Sequence, residues 1–462
     1  MTDFNTAIEL HQIKKVYFIG IGGIGMSALA RYFMGRGCEV HGYDRTETDL
    51  TRILAQEGMK IHYIDDISFI PLGIDLVIFT PAVPKTHSEL VYFQNNNFPI
   101  LKRSEVLGII SRGMKCIGVA GTHGKTTTSS IVTHILRVGG VDCTAFLGGI
   151  SLSLGSNFVE GKSDWVVVEA DEFDRSFLRL SPDMAVVTAI DPDHLDIYGD
   201  EANFRQGFQD FVSKLKNNGK VFKNKNLVDF LPRKDAGIKK ICWATYGTGE
   251  GGDYRAENLR VEDGFFVFDY KSPIENIDNV RFTLAGRHNV ENATAAIAVA
   301  QQLGVTAAAV REALGSFRGI KRRFEVVVRG EKTVFIDDYA HHPTELENAI
   351  AAAKMLYPNK KITGIFQPHL FTRTRDFQDG FAAALDTLDE VILMDIYPAR
   401  ELPIEGITSE IIFDKMKNQH KTLTTKAELM PLLRGRNFEV LLTLGAGDID
   451  TFVRPIAEML HA

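Results

Sequence analysis

Two glycine-rich segments, each set between a β-branched run and a helical stretch, carry residue types suited to phosphate. In the stronger one, Gly121-Thr122-His123-Gly124-Lys125-Thr126-Thr127-Thr128, backbone N–H groups can cradle phosphate oxygens. Lys125 can neutralise the transferring end of a nucleoside triphosphate, and Thr126 can reach a magnesium ion. The general phosphate-loop pattern would place a glycine where Val119 stands, so only a variant of that loop is satisfied. The lysine is read as serving phosphates and not a core. The other segment, Gly20-Ile21-Gly22-Gly23-Ile24-Gly25-Met26, follows the run VYFI. Glycine there permits a tight turn and lets a pyrophosphate approach the helix N-terminus. Asp44 ends the next strand, where dinucleotide folds often place a ribose-binding acid. Alone, this first motif favours an NAD-dependent oxidoreductase.

Carboxylates and a histidine supply candidate metal chemistry. Glu169 ends the strand WVVVE, and His194 follows VVTAI through an acidic turn, so both can project toward Thr126. Thr126 and Glu169 suit a hard cation, for which histidine is the less usual ligand. Asp171, Glu172 and Asp174 read as solvated loop acids. Asn289 and Asn292 lie three apart, on one face of a helix, with Asn289 as its N-cap. Arg373, in FTRTRD, offers a planar fork for a carboxylate, although TRTRD also reads as a basic helix start, with Arg375 structural.

These groups need elements to hold them. From Lys14 to about Arg112 short β-branched runs alternate with helical ones, which reads as a parallel sheet. The pattern restarts at CIGVAG and continues through WVVVEAD and MAVVTAI, with a small antiparallel sheet expected over about Lys239–Leu284. After GSFRGIKRRF it restarts again: TVFIDDY, KITGIFQ, EVILMDIY, FEVLLTLGAGD. The expectation is an α/β chain of three domains in series: residues 1–112 Rossmann-like, 113–321 a phosphate-loop domain, and 322–462 Rossmann-like again.

The 462 residues suffice for several cores, and a net charge of −7 argues against general nucleic-acid binding. Cys38, Cys116, Cys143 and Cys242 form no CxxC pair, so neither a disulfide framework nor a thiolate zinc site is indicated. No run has signal-peptide or transmembrane character, so the expected setting is the cytoplasm, with no membrane insertion.

GTHGKTTT resembles the phosphate loop of the Mur ligases. EADEFDRSFL, IDPDHLDIYGD, GRHNVENATAA, GIKRRFE, DDYAHHPTE and FQPHLFTRTRD resemble the alanine-adding branch of that family in order and spacing, over nearly the whole chain. The resemblance implies an ATP- and Mg2+-dependent amide-bond ligase acting on UDP-N-acetylmuramate and L-alanine through an acyl phosphate; a monomer or weak homodimer is expected.

In this likeness the first loop (Gly22, Gly23, Gly25, Met26, with Asp44) holds a UDP-sugar, which overturns the NAD reading. Thr80, Arg103 and Asn157 are further candidates there. The likeness puts His194 at a second magnesium site, with Thr126 and Glu169 as the other metal ligands. It places Lys125, Glu169, His194 and Arg323 in catalysis. ATP is assigned to Gly121 through Thr127, His288, Asn289, Asn292, Arg323 and Asp338, and the amino acid to Tyr339, His341, His369 and Arg373. Leu370 departs from the commoner family wording, which has arginine there. The alternatives are a ligase that recycles a tripeptide onto the same UDP-sugar, an NAD-dependent oxidoreductase, and a non-enzymatic nucleotide-binding regulator.

Overall fold

The computed structural model describes residues 8–192, 195–228, 230, 240–399 and 401–461. It has a three-domain α/β architecture built on three sheets. The first comprises β1 (Lys15–Ile19), β2 (Glu39–Tyr43), β3 (Lys60–His62), β4 (Leu76–Phe79) and β5 (Ile100–Lys102), in the order β3-β2-β1-β4-β5. All four of its strand pairings are parallel. The order reverses between β1 and β4, and a ligand crevice forms at the carboxyl ends of such strands.

The second sheet has β6 (Lys115–Ala120), β7 (Thr144–Ser151), β8 (Ser156–Val159), β9 (Trp165–Ala170), β10 (Met184–Val187), β11 (Lys220–Asn224), β12 (Cys242–Thr248), β13 (Tyr254–Glu262), β14 (Phe265–Lys271) and β15 (Ile277–Phe282). Their order is β15-β14-β13-β12-β11-β10-β6-β9-β7-β8. The strand KKICWATYG departs from expectation. As β12 it pairs parallel with β11 and so extends the parallel sheet instead of opening an antiparallel one. β13 and β14 are joined by Asp263 and Gly264, both at positive φ (52° and 78°), the geometry of a two-residue hairpin.

The third sheet, β16 (Glu325–Arg329), β17 (Val334–Asp338), β18 (Ile362–Phe366), β19 (Glu390–Met394), β20 (Lys421–Thr424) and β21 (Val440–Leu444), runs β16-β17-β21-β18-β19-β20. Only its edge strand β16 is antiparallel.

Two compact units emerge from the packing. One takes the chain up to Arg255 with Tyr270–Ile277 and Asn292–Ala313; the other takes Ala256–Asp269, Asp278–Glu291 and the chain from Leu314 onward. In the first unit one contiguous apolar cluster runs from β1 and the helix Ile24–Gly35 into β7, β8 and β9, and a second packs around Tyr17, Val77 and Phe93. Tyr32 of that helix lies 5.5 Å from the Phe146 ring and 6.2 Å from that of Phe158. Both glycine loops therefore sit on one packed body. The second unit has its own core around Phe335, Ile365, Ile392 and Leu441.

No helix among the described residues is long and apolar enough to cross a membrane. Cys38, Cys116 and Cys143 are buried free thiols, and Cys242 is an exposed one.

Candidate active site

The phosphate loop leaves β6 and enters the helix Lys125–Val138. Gly124 caps that helix in the left-handed region (φ 80°), where glycine carries no Cβ penalty. Gly121 (φ 142°) has no room for a side chain, because a Cβ would overlap the Thr188 hydroxyl. The loop is pinned from β10's end. Thr122 N donates to Ala189 O (3.0 Å), Asp191 N donates to the Thr122 hydroxyl (3.1 Å), and Thr188 donates to His123 O. His123 Nε2 stands 3.4 Å from Asp191. Thr126 and Thr127 are buried in the helix's first turn.

Lys125 Nζ donates to Gly121 O at 2.7 Å and to Glu172 Oε1 at 2.8 Å, with Thr122 O at 3.4 Å. Burial alone would lower the lysine pKa, but Glu172, Asp171 and Glu169 outweigh it and hold the ammonium charged. Glu172 is 2% exposed, and burial drives its carboxyl above the usual carboxylate range against the pull of Lys125. The reading of this acid as solvated is therefore wrong, and no sequence pattern distinguished it from its neighbours. Asp171 and Asp174 remain partly exposed, as loop acids do, and pair with Arg103 and Lys102, each at 3.0 Å.

The Thr126 hydroxyl donates to Glu169 Oε2 (2.8 Å), which also accepts Gly148 N (3.0 Å). A hydroxyl and a carboxylate side by side at a helix N-terminus are hard oxygen donors that fit a magnesium ion sharing phosphate oxygens and water. Among the described residues no cluster of three or more His, Cys, Asp or Glu side chains could hold a metal. His194 lies outside the described residues. Asn292 comes up to the same loop, since its Oδ1 would stand 2.7 Å from a Cβ on Gly124.

The first glycine loop lies between β1 and the helix Ile24–Gly35, with Gly23 as N-cap. Asp44 Oδ2 accepts Gly22 N at 2.7 Å, so this acid braces the loop itself. Thr80 packs under Gly20. Met26 is 2% exposed and belongs to the core, which leaves only its backbone for a ligand.

Asn157 does not face a sugar. It is fully buried, donates to Ile24 O (2.5 Å) and to the Ser27 hydroxyl (2.9 Å), and accepts from Arg31. It is a strut between β8 and the first loop's helix.

Between the two loops an open cleft is lined by Gly25, Arg103, Phe146, Gly148, Glu169 and Asp171 among others. The Arg103 guanidinium lies over Gly25, where any Cβ would collide with it.

In the second unit, β17 delivers Asp338, whose carboxylate accepts Phe324 N and Ala340 N, both at 2.7 Å. Burial raises its pKa to about 6, opposed by the Arg323 charge. Arg323 stacks 5.1 Å from the Tyr339 ring. The rings of Tyr339, His341 and His369 follow one another at 5.1 and 5.9 Å. Tyr397, unnoticed in the sequence, stacks on His369 at 5.8 Å, and its carbonyl accepts Leu370 N. Leu370 stands at φ 69° and caps the helix Phe371–Leu385, in whose first turn Arg373 is buried. Arg375 is exposed and pairs with Asp376.

His288 is neutral at pH 7, its pKa pushed down to about 4 by burial. The helix carrying His288, Asn289 and Asn292 begins at Arg287, so Asn289 is inside it instead of capping it. The Asn289 amide donates to Ala285 O at 2.6 Å.

Comparison with known proteins adds to this geometry. Family models match in chain order: "Mur ligase family, catalytic domain" over 15–115, "Mur ligase middle domain" over 119–300, and "Mur ligase, glutamate ligase domain" over 322–447. A UDP-N-acetylmuramate–L-alanine ligase of Flavobacterium psychrophilum is 50% identical over 457 residues, covering 98% of this chain and 99% of the relative. One from Porphyromonas gingivalis is 48% identical over 456 residues, covering 97% and 99%. The crystal structure of UDP-N-acetylmuramate–alanine ligase from Thermotoga maritima superposes with a TM-score of 0.82 at 31% identity, over 97% of this chain and 99% of that one.

Proposed function

The chain belongs to the Mur ligase family, and from that premise we propose that it joins L-alanine to the lactyl carboxylate of UDP-N-acetylmuramate at the expense of ATP. The observation that carries this reading is near-full-length identity of about half to ligases named for that reaction. The two loops on one body support it, one for the diphosphate of a sugar nucleotide and one for a triphosphate. An oxidoreductase would need only the first. A tripeptide-recycling ligase would share both loops, and the murein peptide ligase fold is indeed similar, with a TM-score of 0.71 at 21% identity.

A carboxylate is a poor electrophile, so it must gain a better leaving group than hydroxide. Its oxygen attacks the γ-phosphorus of ATP, ADP departs, and the alanine amine then displaces phosphate from the acyl carbon. In the first step two anions meet, and Lys125 offsets their repulsion from the loop it already spans. Thr126 and Glu169 would hold a magnesium ion, which when bound supplies Lewis-acid charge at the phosphates. Arg323 and Asp338 are assigned to the nucleotide, and Tyr339, His341, His369 and Arg373 to the amino acid. We divide the domains at 112 and 321, and place the protein in the cytoplasm as a monomer or weak homodimer.

Phosphate release from ATP tests the reading. It should require UDP-N-acetylmuramate together with alanine, with glycine and serine poorer and the tripeptide inert. Preference for the tripeptide would transfer the chain to the recycling reaction.

A further inference from the structure

The cleft between the loops holds apolar surface that neither a diphosphate nor a triphosphate would use. Its walls are largely apolar, from Ala28, Leu107, Phe146 and Val168. Among the described residues lining it, Arg103 is the only cation, faced by Asp171 and Glu169. Glu169 is committed to Thr126 and Gly148.

Arg103 spends one N–H, from Nη2 to Asp171 Oδ2 at 3.0 Å, and among the described residues that is the only hydrogen bond of its guanidinium. The group carries five such donors in a fixed fork matched to a carboxylate. The residue sits at the base of the helix Arg103–Gly113, whose start is fixed where Lys102 N donates to Glu105 Oε2 at 2.8 Å. Its side chain is 22% exposed, so the free edge remains reachable.

Resting on the ligase reading above, we propose that Arg103 receives the lactyl carboxylate of the UDP-sugar while the apolar wall of Ala28, Leu107 and Phe146 receives the lactyl methyl, so that this cleft selects a UDP-sugar bearing the acid over one lacking it. A diphosphate on the first loop and a carboxylate directed at the γ-phosphate on the second must bridge the space between Gly25 and Glu169. An acid entering there meets Glu169 and Asp171, two like charges, and Arg103 is the lining group that offsets them. Arg103 also keeps the acid oriented, since a fork binds both oxygens in one plane. One oxygen can remain on the fork while the other attacks phosphorus.

The test compares binding of UDP-N-acetylmuramate with UDP-N-acetylglucosamine, which has a hydroxyl in place of the lactyl ether, by calorimetry without ATP. Wild type should prefer the first by about tenfold or more, the size of one charge-assisted contact. Arg103→Met should cut that preference to about twofold or less, the larger loss falling on UDP-N-acetylmuramate, while leaving the affinity for ADP unchanged. Arg103→Lys should restore part of it. Unchanged ADP binding also reports that the variant is folded. Retained preference in Arg103→Met would overturn the proposal. So would an equal loss for both sugars, which would place the guanidinium on the diphosphate. If wild type bound neither sugar, the ligase reading itself would fail, a result distinct from either of these.

Discussion

Replacing Lys125 by alanine removes more than a phosphate contact. The structure buries its ammonium against Glu172, with side-chain exposures of 14% and 3%. This corrects the reading of Lys125 as serving phosphates alone. Breaking a buried pair on one side costs about 3–5 kcal/mol when the remaining charge cannot escape. Here it can escape by taking a proton, because burial already raises the Glu172 pKa. A raised carboxyl pKa gives no differential effect below the unfolded value, near 4.5. Its cost grows as pH climbs toward the folded value, which Lys125→Ala raises further.

The variant should therefore melt close to wild type at pH 5 and several degrees lower at pH 8, where about 1.4 kcal/mol per pH unit accumulates. Lys125→Met/Glu172→Gln should recover most of the lost stability, because no charge is then left buried. Neither variant should turn over, with phosphate release down about a thousandfold or more. Melts at the two pH values, with a phosphate-release assay on the same preparations, provide the check. A double variant no more stable than Lys125→Ala at pH 8, or substantial turnover in either, would refute the pairing or the role of the lysine.

Gly23→Val should fold, since a Cβ there meets only ordinary contacts (Gly20 O at 3.5 Å). It should raise KM for the UDP-sugar and leave KM for ATP unchanged; steady-state kinetics with each substrate varied will decide. Glu89 is fully buried, takes the Tyr17 hydroxyl at 2.7 Å, and has its pKa pushed up to about 7 by burial, with His62, Asp65 and Asp66 nearby. Stability should consequently fall as pH rises from about 4.5 through 7, and Glu89→Gln should flatten that slope in thermal melts. Arg373→Met should raise KM for alanine about tenfold or more, the loss of one charge-assisted bond of about 1.4 kcal/mol, with KM for ATP hardly moved.

What the sequence revealed, and what it withheld, follows from which interactions are local. Each glycine loop was legible because turn, strand and helix are contiguous in the chain. The Thr126–Glu169 pair was legible too, since both stand at the ends of recognisable elements. Glu172 was not: three acids in a short loop look alike until β9 delivers one of them beneath Lys125. Asn157 was misread because its partners, Ile24, Ser27 and Arg31, lie more than a hundred residues away. Met26 was named with its loop, yet helical geometry turns its side chain into the core. The strand β12 carried an alternating pattern that suits an edge hairpin, and parallel pairing with β11 overrode it. Tyr397 had no motif, and the His369 stack that marks it depends on the third sheet bringing two loops together.

If this chain activates the UDP-sugar's own carboxylate and then joins it to alanine, an oxygen atom must pass from that carboxylate to phosphate. UDP-N-acetylmuramate labelled with oxygen-18 in the lactyl carboxylate is incubated with the enzyme, ATP, magnesium and alanine, and phosphate and product are weighed by mass spectrometry. Each released phosphate should carry one labelled oxygen, and alanine should be amide-linked to the sugar nucleotide. Unlabelled phosphate, or phosphate released with no alanyl product, would contradict that route.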